Sequence, residues 1–245
     1  MYINELLINC MLKILLRSVS INILKSKEGL ILNKKILSAL IMNILIAVST
    51  AAIAISYYFY CENPLVQSGF DSYKFFTTDS NILAGLASLI LIPFEIQILR
   101  GKRKKLPRAA VLFKYAAAVS LTLTFTTVMV LLLPIYDIKF LLLGTAFYMH
   151  IAGPVMTFIS FVFLETDTKI KLPESLIPLI PVILYGAVYL TEVVIIGEKN
   201  GGWMDFYTFN KGGNWMISMP IMLGATYLIS FLMDYMGLAY IMPSN

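Results

Sequence analysis

The chain has 245 residues, of which 59% are hydrophobic and only 13% are charged. Soluble domains carry about 25% charged residues, so this composition excludes an ordinary soluble protein and indicates an integral membrane protein. The net charge of +5 is too small to indicate a nucleic-acid-binding surface. One histidine and two well-separated cysteines leave almost no ligands for a zinc site. We therefore expect no metal, no other cofactor and no nucleic-acid partner.

Residues 1–35 form the first of two predicted regions. Glu5, Asn9, Lys13 and Arg17 recur every four residues among Leu, Ile and Met. This pattern is typical of an amphipathic helix that lies in the membrane surface on the cytoplasmic side. The alternative is that the natural chain starts later and that this stretch is poorly ordered.

The second predicted region, residues 36–241, contains six apolar segments of about 20 residues, the length that crosses a bilayer. The predicted spans are 36–58, 78–99, 115–133, 140–163, 176–196 and 215–241. Only short polar connections separate them. The predicted fold is therefore all-α, a polytopic membrane bundle of six transmembrane helices.

Lys and Arg are unevenly divided between the two sides of these spans. Fifteen of the nineteen lie before span one, between spans two and three as far as Lys114, or just after span four. The positive-inside rule places these fifteen in the cytoplasm, and an even number of spans returns the C-terminus to the same side. We expect a multi-pass protein of the cell membrane with both termini cytoplasmic, whose basic residues contact anionic membrane lipids.

Polar side chains open the second span. They are five consecutive residues: Thr77, Thr78, Asp79, Ser80 and Asn81. One interpretation is a capped helix N-terminus, where these residue types are favoured and Asp79 meets the positive end of the helix dipole. The other is that Thr77 and Asn81, four residues apart, share a face and point into a cavity.

His150 lies inside span four, four residues before Pro154. The proline ring removes the helical hydrogen bond to the His150 carbonyl, so we expect a break in the helix beside the histidine. Such breaks are tolerated where protein or a wet cavity satisfies the backbone. A histidine that makes one interhelical hydrogen bond is an equally good interpretation.

Tyr185, Tyr189 and Glu192 follow one another at spacings of four and three residues in span five, so they share one helix face. They are candidates for contacting a substrate. Glu192 lies near the predicted outer end, where an interfacial charge is the simpler interpretation. The threonines of span three are expected to bond back to carbonyls of their own helix.

Three short motifs occur in the order and spacing of a known membrane protein family. They are Phe-Thr-Thr-Asp-Ser-Asn-Ile-Leu at 76–83, Tyr-Met-His-Ile-Ala-Gly-Pro-Val at 148–155 and Trp-Met-Asp-Phe-Tyr-Thr-Phe-Asn at 203–210. Over about residues 36–241 the chain resembles the androgen-induced-gene and androgen-dependent TFPI-regulating protein family, especially its uncharacterised bacterial members. The eukaryotic members are multipass threonine hydrolases that cleave fatty acid esters of hydroxy fatty acids.

The resemblance implies a catalytic pair of one intramembrane threonine and one histidine. The histidine corresponds to His150 and the threonine to Thr77, with Thr78 left open because the adjacent threonines make the alignment ambiguous. The outer loop departs from the family pattern at three positions: Met204, Asp205 and Thr208. These departures leave the identity of the lipid ester substrate open.

The chemistry suits these residue types. A threonine hydroxyl needs a base within hydrogen-bonding reach, and neutral His150 can accept its proton and return it to the leaving alcohol. Asn81 is a candidate donor to the oxyanion. The other candidates for contacting substrate or oxyanion are Ser80, Asp79, Tyr185, Tyr189 and Glu192. The rival functions are a transporter or channel for a small solute, which needs a continuous polar path, and a non-catalytic scaffold.

Depth along the helices tests the proposed pair. His150 lies 15 residues from Glu165, and Thr77 lies 23 residues from Arg100. If those residues mark the inner boundary, the two side chains differ in depth by about 12 Å at 1.5 Å per residue. If Glu95 marks it instead, the difference falls to about 5 Å, which helix tilt can close. The pair therefore requires Glu95 to lie near the inner boundary.

Overall fold

The structure is a computed structural model that describes residues 27–59, 69–165 and 169–241. Within these ranges the chain is helical, and six helices are long and apolar enough to cross a membrane. The predicted all-α, six-helix membrane bundle is confirmed. Most of the predicted amphipathic segment, with Cys10, and also Cys61 lie outside the described residues.

The six helices follow one another in simple chain order. Helix α1 is Lys27–Phe59, α2 is Phe76–Leu99, and α3 is Arg108–Thr127 with a π-helical turn at Val128–Leu132. Helix α4 covers Thr145–Glu165, α5 is Leu179–Leu190 with a π-helical turn at Thr191–Ile196, and α6 is Trp215–Ile241. The predicted bounds of the last span agree with α6, whereas α3 begins seven residues before the predicted third span.

Helix α3 begins early because Pro107 precedes its first residue in an extended conformation, and the segment that follows contains good helix formers. Hydropathy had assigned the charges at Arg108 and Lys114 to a loop. That assignment is wrong for Lys114, which lies inside α3 and is fully buried. Local hydropathy fails here because the partners that neutralise this charge come from other helices.

Helix α4 is the most irregular of the six. Gly144, at a φ of 61°, separates it from the short helix Ile138–Leu142, so the fourth span starts later than predicted. A π-helical turn at Tyr148–Ala152 precedes the α-helical segment Gly153–Ile159, which has Pro154 in its first turn. The α-helical pattern is thus interrupted at His150, where the proline predicted a break.

Helix α3 lies at the centre of the bundle. In the most apolar stretch of α3, 61% of the residues are buried, against 17% in α5 and in α6. Helices α5 and α6 pack on each other and on α3. Small buried side chains at Ala116, Ala117 and Ala118 let the neighbouring helices approach closely. The threonine hydroxyls of α3 bond back as predicted, for example Thr122 to the Ala118 carbonyl at 2.9 Å.

The two ends of the bundle differ in composition. We call one the aromatic end, formed by residues 69–75 and 197–214, where Tyr, Phe and Trp side chains pack together. The other, the basic end, is formed by residues 100–108 and 169–174. Thr77 and His150 are nearer the aromatic end, and Glu95 and Glu165 are nearer the basic end.

Candidate functional site

The start of α2 is capped differently from the sequence expectation. The residue before the helix is Phe75, and its side chain makes no capping bond. The Thr78 hydroxyl instead donates to the Ser72 carbonyl at 2.9 Å. The interpretation of this polar run as a set of side-chain caps is therefore wrong. Thr77, Thr78, Ser80 and Asn81 are buried, and Asp79 is half-buried.

A cavity of about 470 Å³ lies between α2, α3, α5 and α6, beneath the loop 197–214. Its volume is in the range of small-molecule sites. Most of its wall is apolar, and its hydroxyl-bearing side chains are Thr77, Thr124, Thr126, Thr127, Tyr185, Tyr189, Tyr207, Thr208 and Ser218. The structure separates the two candidate threonines, since Thr77 lines this cavity and Thr78 lies against α1 beside Tyr148 and Met149.

Tyr207 is a further polar residue of the cavity beside Thr77, and it was not among the candidates predicted from the sequence. Its hydroxyl lies near the Thr77 side chain and the backbone of Phe76 and Thr77. Burial raises the pKa of Tyr207 to about 12, so the phenol is neutral near pH 7 and retains a proton to donate. Tyr207 also covers the free backbone N–H groups at the start of α2.

Asp205 holds the loop that carries Tyr207. Its carboxylate accepts hydrogen bonds of 2.8 Å from the Tyr189 hydroxyl and from the backbone N–H groups of Phe209 and Asn210. The Tyr207 N–H in turn donates to the Tyr189 hydroxyl at 3.1 Å. Asp205 therefore has a structural role in shaping the cavity.

The remaining tyrosine candidate ties α5 to α2. The Tyr185 hydroxyl donates to the Lys74 carbonyl at 2.8 Å, just before α2 begins. Its ring stacks on Tyr189 with centroids 5.9 Å apart. Tyr185 also lines a second cavity, of about 360 Å³, in which Asp79 and Ser80 are the polar residues of α2.

Asn81 joins α2 to α4. Its Nδ2 donates to the Thr77 carbonyl at 2.8 Å and to the Met149 carbonyl at 3.1 Å, so both amide hydrogens are already used. The close approach depends on Gly153, because a Cβ there would lie 2.8 Å from Asn81 Oδ1. Ser80 makes a similar link to α3 through the Thr124 hydroxyl at 2.9 Å.

His150 has one of its ring nitrogens fixed. Nδ1 donates to the Leu141 carbonyl at 2.5 Å, which leaves Nε2 as the nitrogen that can accept a proton. Within the described residues His150 makes no hydrogen bond to Thr77 or Thr78. His150 is not among the residues that line either of the two larger cavities, and its one hydrogen bond joins α4 to the short helix Ile138–Leu142, as the alternative interpretation of this histidine predicted.

Contacts between the helices fix the relative depth of residues on α2 and α4. The carbonyl oxygens of Thr77 and Met149 bond to the same nitrogen, so they lie within about 6 Å of each other. At the other end, the Asn43 amide donates to both Glu95 and Glu165, which places those two carboxylates at the same level. Thr77 and the residue preceding His150 are therefore neighbours across the α2–α4 interface.

Glu192 lies apart from Thr77 and His150. It is half-buried near the aromatic end of α5 and lines neither of the two larger cavities. Its carbonyl accepts the Gly197 N–H at 3.0 Å, and Gly202 approaches so closely that a Cβ would lie 2.2 Å from the Glu192 oxygen. Among the residues that the structure describes, no group of three or more His, Cys, Asp or Glu could hold a metal ion.

A second polar assembly, also not foreseen from the sequence, lies between α1, α2, α3 and α4. Its members share full burial and hydrogen-bond to one another: Asn43, Ser88, Glu95, Lys114, Ser160 and Glu165. We call it the Lys114 cluster. Polar residues near the span ends were the available signal. From the sequence, Lys114 was counted with a loop, Glu165 was taken as the inner boundary, and Glu95 was one of two alternatives for that boundary.

In comparisons with models of protein families, with curated proteins and with solved structures, nothing matches this chain. The resemblance to the threonine hydrolases therefore stays a prediction from short motifs.

Proposed function

We propose that the protein is an intramembrane lipid ester hydrolase in which Thr77 is the nucleophile and His150 the general base. The observation that carries the proposal is the position of Thr77: its side chain lines an apolar cavity of about 470 Å³. Thr78, the alternative nucleophile, donates its hydroxyl to the Ser72 carbonyl and lies on the other side of α2.

The shape of the cavity supports an ester of an apolar acyl chain as the substrate. Residues of α3, α5 and α6 such as Val128, Val182 and Met222 provide an apolar wall for the chain. The hydroxyls of Thr77, Tyr185 and Tyr207 gather near the start of α2, where the ester group would lie. Membrane lipids are thus the proposed source of substrate.

In the proposed reaction, Thr77 Oγ1 forms a bond to the ester carbonyl carbon while its proton passes to His150 Nε2. The Tyr207 phenol donates to the oxyanion, the role that the sequence had given to Asn81. The alkoxide then leaves with the proton from Nε2. Water next attacks the acyl ester on Thr77 with His150 again as the base, which releases the acid and returns the proton to Thr77 Oγ1. The bond from Nδ1 to Leu141 keeps Nε2 in its basic form.

We also propose that the aromatic end faces outward, with both termini cytoplasmic in the cell membrane. With the buried Lys114 removed from the count, fourteen Lys and Arg remain on the predicted cytoplasmic side against four on the other. The cavity would then open toward the outer leaflet. Reporter fusions after residue 105 and after residue 200 should report opposite sides of the membrane.

The experiment compares purified variants in detergent with a fluorophosphonate probe and with a long-chain acyl ester of a fluorescent alcohol. Thr77→Ala should abolish both labelling and turnover. His150→Gln should lower turnover by about 10²–10⁴-fold, the usual contribution of a general base. Tyr207→Phe should lower it by about 10²–10³-fold, as for loss of one oxyanion donor.

Thr191→Ala is the matched control, because that exposed threonine of α5 bonds only to its own helix, at the Ala187 carbonyl. Its turnover should equal that of the wild type. Loss of turnover in Thr78→Ala together with normal turnover in Thr77→Ala would overturn the assignment of the nucleophile. Wild-type protein that neither labels nor hydrolyses any acyl ester would overturn the proposed function.

A further inference from the structure

The Lys114 cluster brings charged side chains from three helices into the interior of the bundle, where α1 adds an amide. Glu95 of α2 and Lys114 of α3 are 0% exposed, and Glu165 of α4 is 2% exposed. Thr77 and Glu95 are 18 residues apart on α2, about 27 Å along a straight helix. The cluster is therefore separate from the proposed catalytic cavity, and its protonation does not depend on the hydrolase proposal.

The carboxyl group of Glu165 beside Lys114 favours the charged, ammonium form of this side chain. Its Nζ donates to Asn43 Oδ1 and to Ser88 Oγ, each at 2.7 Å, and it lies 3.8 Å from Glu165 Oε1. An ammonium group satisfied in this way resembles a paired buried cation rather than an isolated one. Lys114 therefore contributes one positive charge to the interior.

Two carboxyl groups share this single cation. The Asn43 amide donates one hydrogen to Glu95 Oε1 at 2.8 Å and the other to Glu165 Oε1 at 2.7 Å. The charged groups that face Glu95 are Glu165 from α4 and Lys114 from α3. With both carboxylates ionised the cluster would carry a net charge of −1, and a buried unpaired charge is among the costliest features a fold can contain.

One oxygen of each carboxyl group lacks a partner. Glu95 Oε2 and Glu165 Oε2 are buried and accept no hydrogen bond within the described structure. Ionised carboxylates in a protein interior normally have donors at both oxygens. Burying a second carboxylate with an unsatisfied oxygen costs more than burying a neutral carboxylic acid, so the geometry favours one protonated group in this pair.

From this arrangement we infer that the Lys114 cluster is a proton-binding site, in which Glu95 and Glu165 together hold one proton at neutral pH. An O–H bond forms on one carboxyl oxygen with a proton from bulk water, and the cluster becomes neutral. The proton belongs to the pair, since both groups bond to the same Asn43 amide.

The experiment counts protonated glutamates by infrared spectroscopy of the full chain in lipid nanodiscs at pH 7. Cell-free synthesis with ¹³C-labelled glutamate separates the carboxylic acid band of Glu from that of Asp79. Wild type should show one protonated Glu per chain. Glu95→Gln and Glu165→Gln should each show none, because either change leaves one carboxylate paired with Lys114.

The matched control is Glu192→Gln, which removes a half-buried carboxyl of α5 that lies outside the cluster and should leave the count at one. Lys114→Met should raise the count to two, and it provides a second variant if a glutamine variant fails to fold. Wild type with no protonated Glu, or with two, would overturn the inference. So would a band that survives unchanged in both Glu95→Gln and Glu165→Gln, or one that sodium ions remove at constant pH.

Discussion

Replacing Lys114 by Met tests how strongly the bundle depends on charge balance in its interior. Methionine keeps most of the length of the side chain and removes only the ammonium group. The variant leaves Glu95 and Glu165 facing each other without a cation, since Lys114 is the positive group facing the pair. Its least costly response is to take up one proton more than the wild type does.

The cost of that proton can be worked out from ordinary values. A Glu with a pKa of about 4.3 lies about 2.7 units below pH 7, and each unit costs about 1.36 kcal/mol, so protonation costs about 3.7 kcal/mol. Removing one partner of a buried ion pair typically costs 3–5 kcal/mol, which agrees. The two lost hydrogen bonds, to Asn43 and Ser88, add about 1 kcal/mol each at any pH.

The sign of the pH dependence follows from proton counting. The folded variant holds one more proton than folded wild type, and unfolding releases it, so the variant loses stability relative to wild type as pH rises. The stability difference should grow by about 1.4 kcal/mol per pH unit between pH 5 and pH 8. At pH 5 the proton should account for only about 1 kcal/mol.

The assay is unfolding in mixed micelles by SDS titration at several pH values, followed by helical circular dichroism. The double variant Lys114→Met with Glu165→Gln restores the charge count of wild type, so its stability difference should not change with pH. A difference for Lys114→Met that stays constant from pH 5 to pH 8 would refute the charge-counting argument. A stability equal to wild type at pH 7 would refute it as well.

Two further predictions concern single polar contacts. Asp205→Ala removes the acceptor of three hydrogen bonds. It should lower the free energy of unfolding by about 3 kcal/mol, which is less than the sum for three charged hydrogen bonds because water replaces part of them. Asp137 caps the exposed start of the short helix Ile138–Leu142 by accepting the Lys139 N–H at 2.8 Å. Asp137→Ala should therefore cost about 1 kcal/mol. Tyr115→Phe leaves the Ser230 carbonyl without its buried donor and should cost about 1–2 kcal/mol, whereas exposed Tyr235→Phe should cost nothing measurable. Thermal unfolding in detergent measures all four.

Each of these predictions has a distinct contrary outcome. If Asp205→Ala is no less stable than Asp137→Ala, then Asp205 does not hold the loop that carries Tyr207. If Tyr115→Phe and Tyr235→Phe unfold at the same temperature, the bond between Tyr115 and Ser230 contributes nothing to the packing of α3 against α6.

Much of this protein could be predicted from its sequence because the bilayer imposes a local rule. A span needs about 20 apolar residues in a row, and this requirement is visible without knowledge of any neighbour. The six spans and the bounds of α6 follow from it. The bonds from threonine hydroxyls back to their own helix are local in the same sense.

The tertiary structure decided which polar side chains meet. Thr77 and Thr78 are adjacent and chemically identical, and only the packing of α2 against α3, α5 and α6 gives the cavity to Thr77. Likewise Tyr207 becomes the neighbour of Thr77 only after the loop 197–214 folds over the bundle.

The Lys114 cluster is the clearest case in which the tertiary structure, and not the sequence, decides where charged residues lie. Hydropathy alone places three charged residues near the ends of spans: Glu95, Lys114 and Glu165. Charged residues in such positions are expected at the membrane boundary. They lie buried because Asn43 of α1 and the opposite charges on α2, α3 and α4 compensate one another. Sequence determines where a chain can cross a membrane, whereas the cost of burying a charge depends on partners that only the folded bundle supplies.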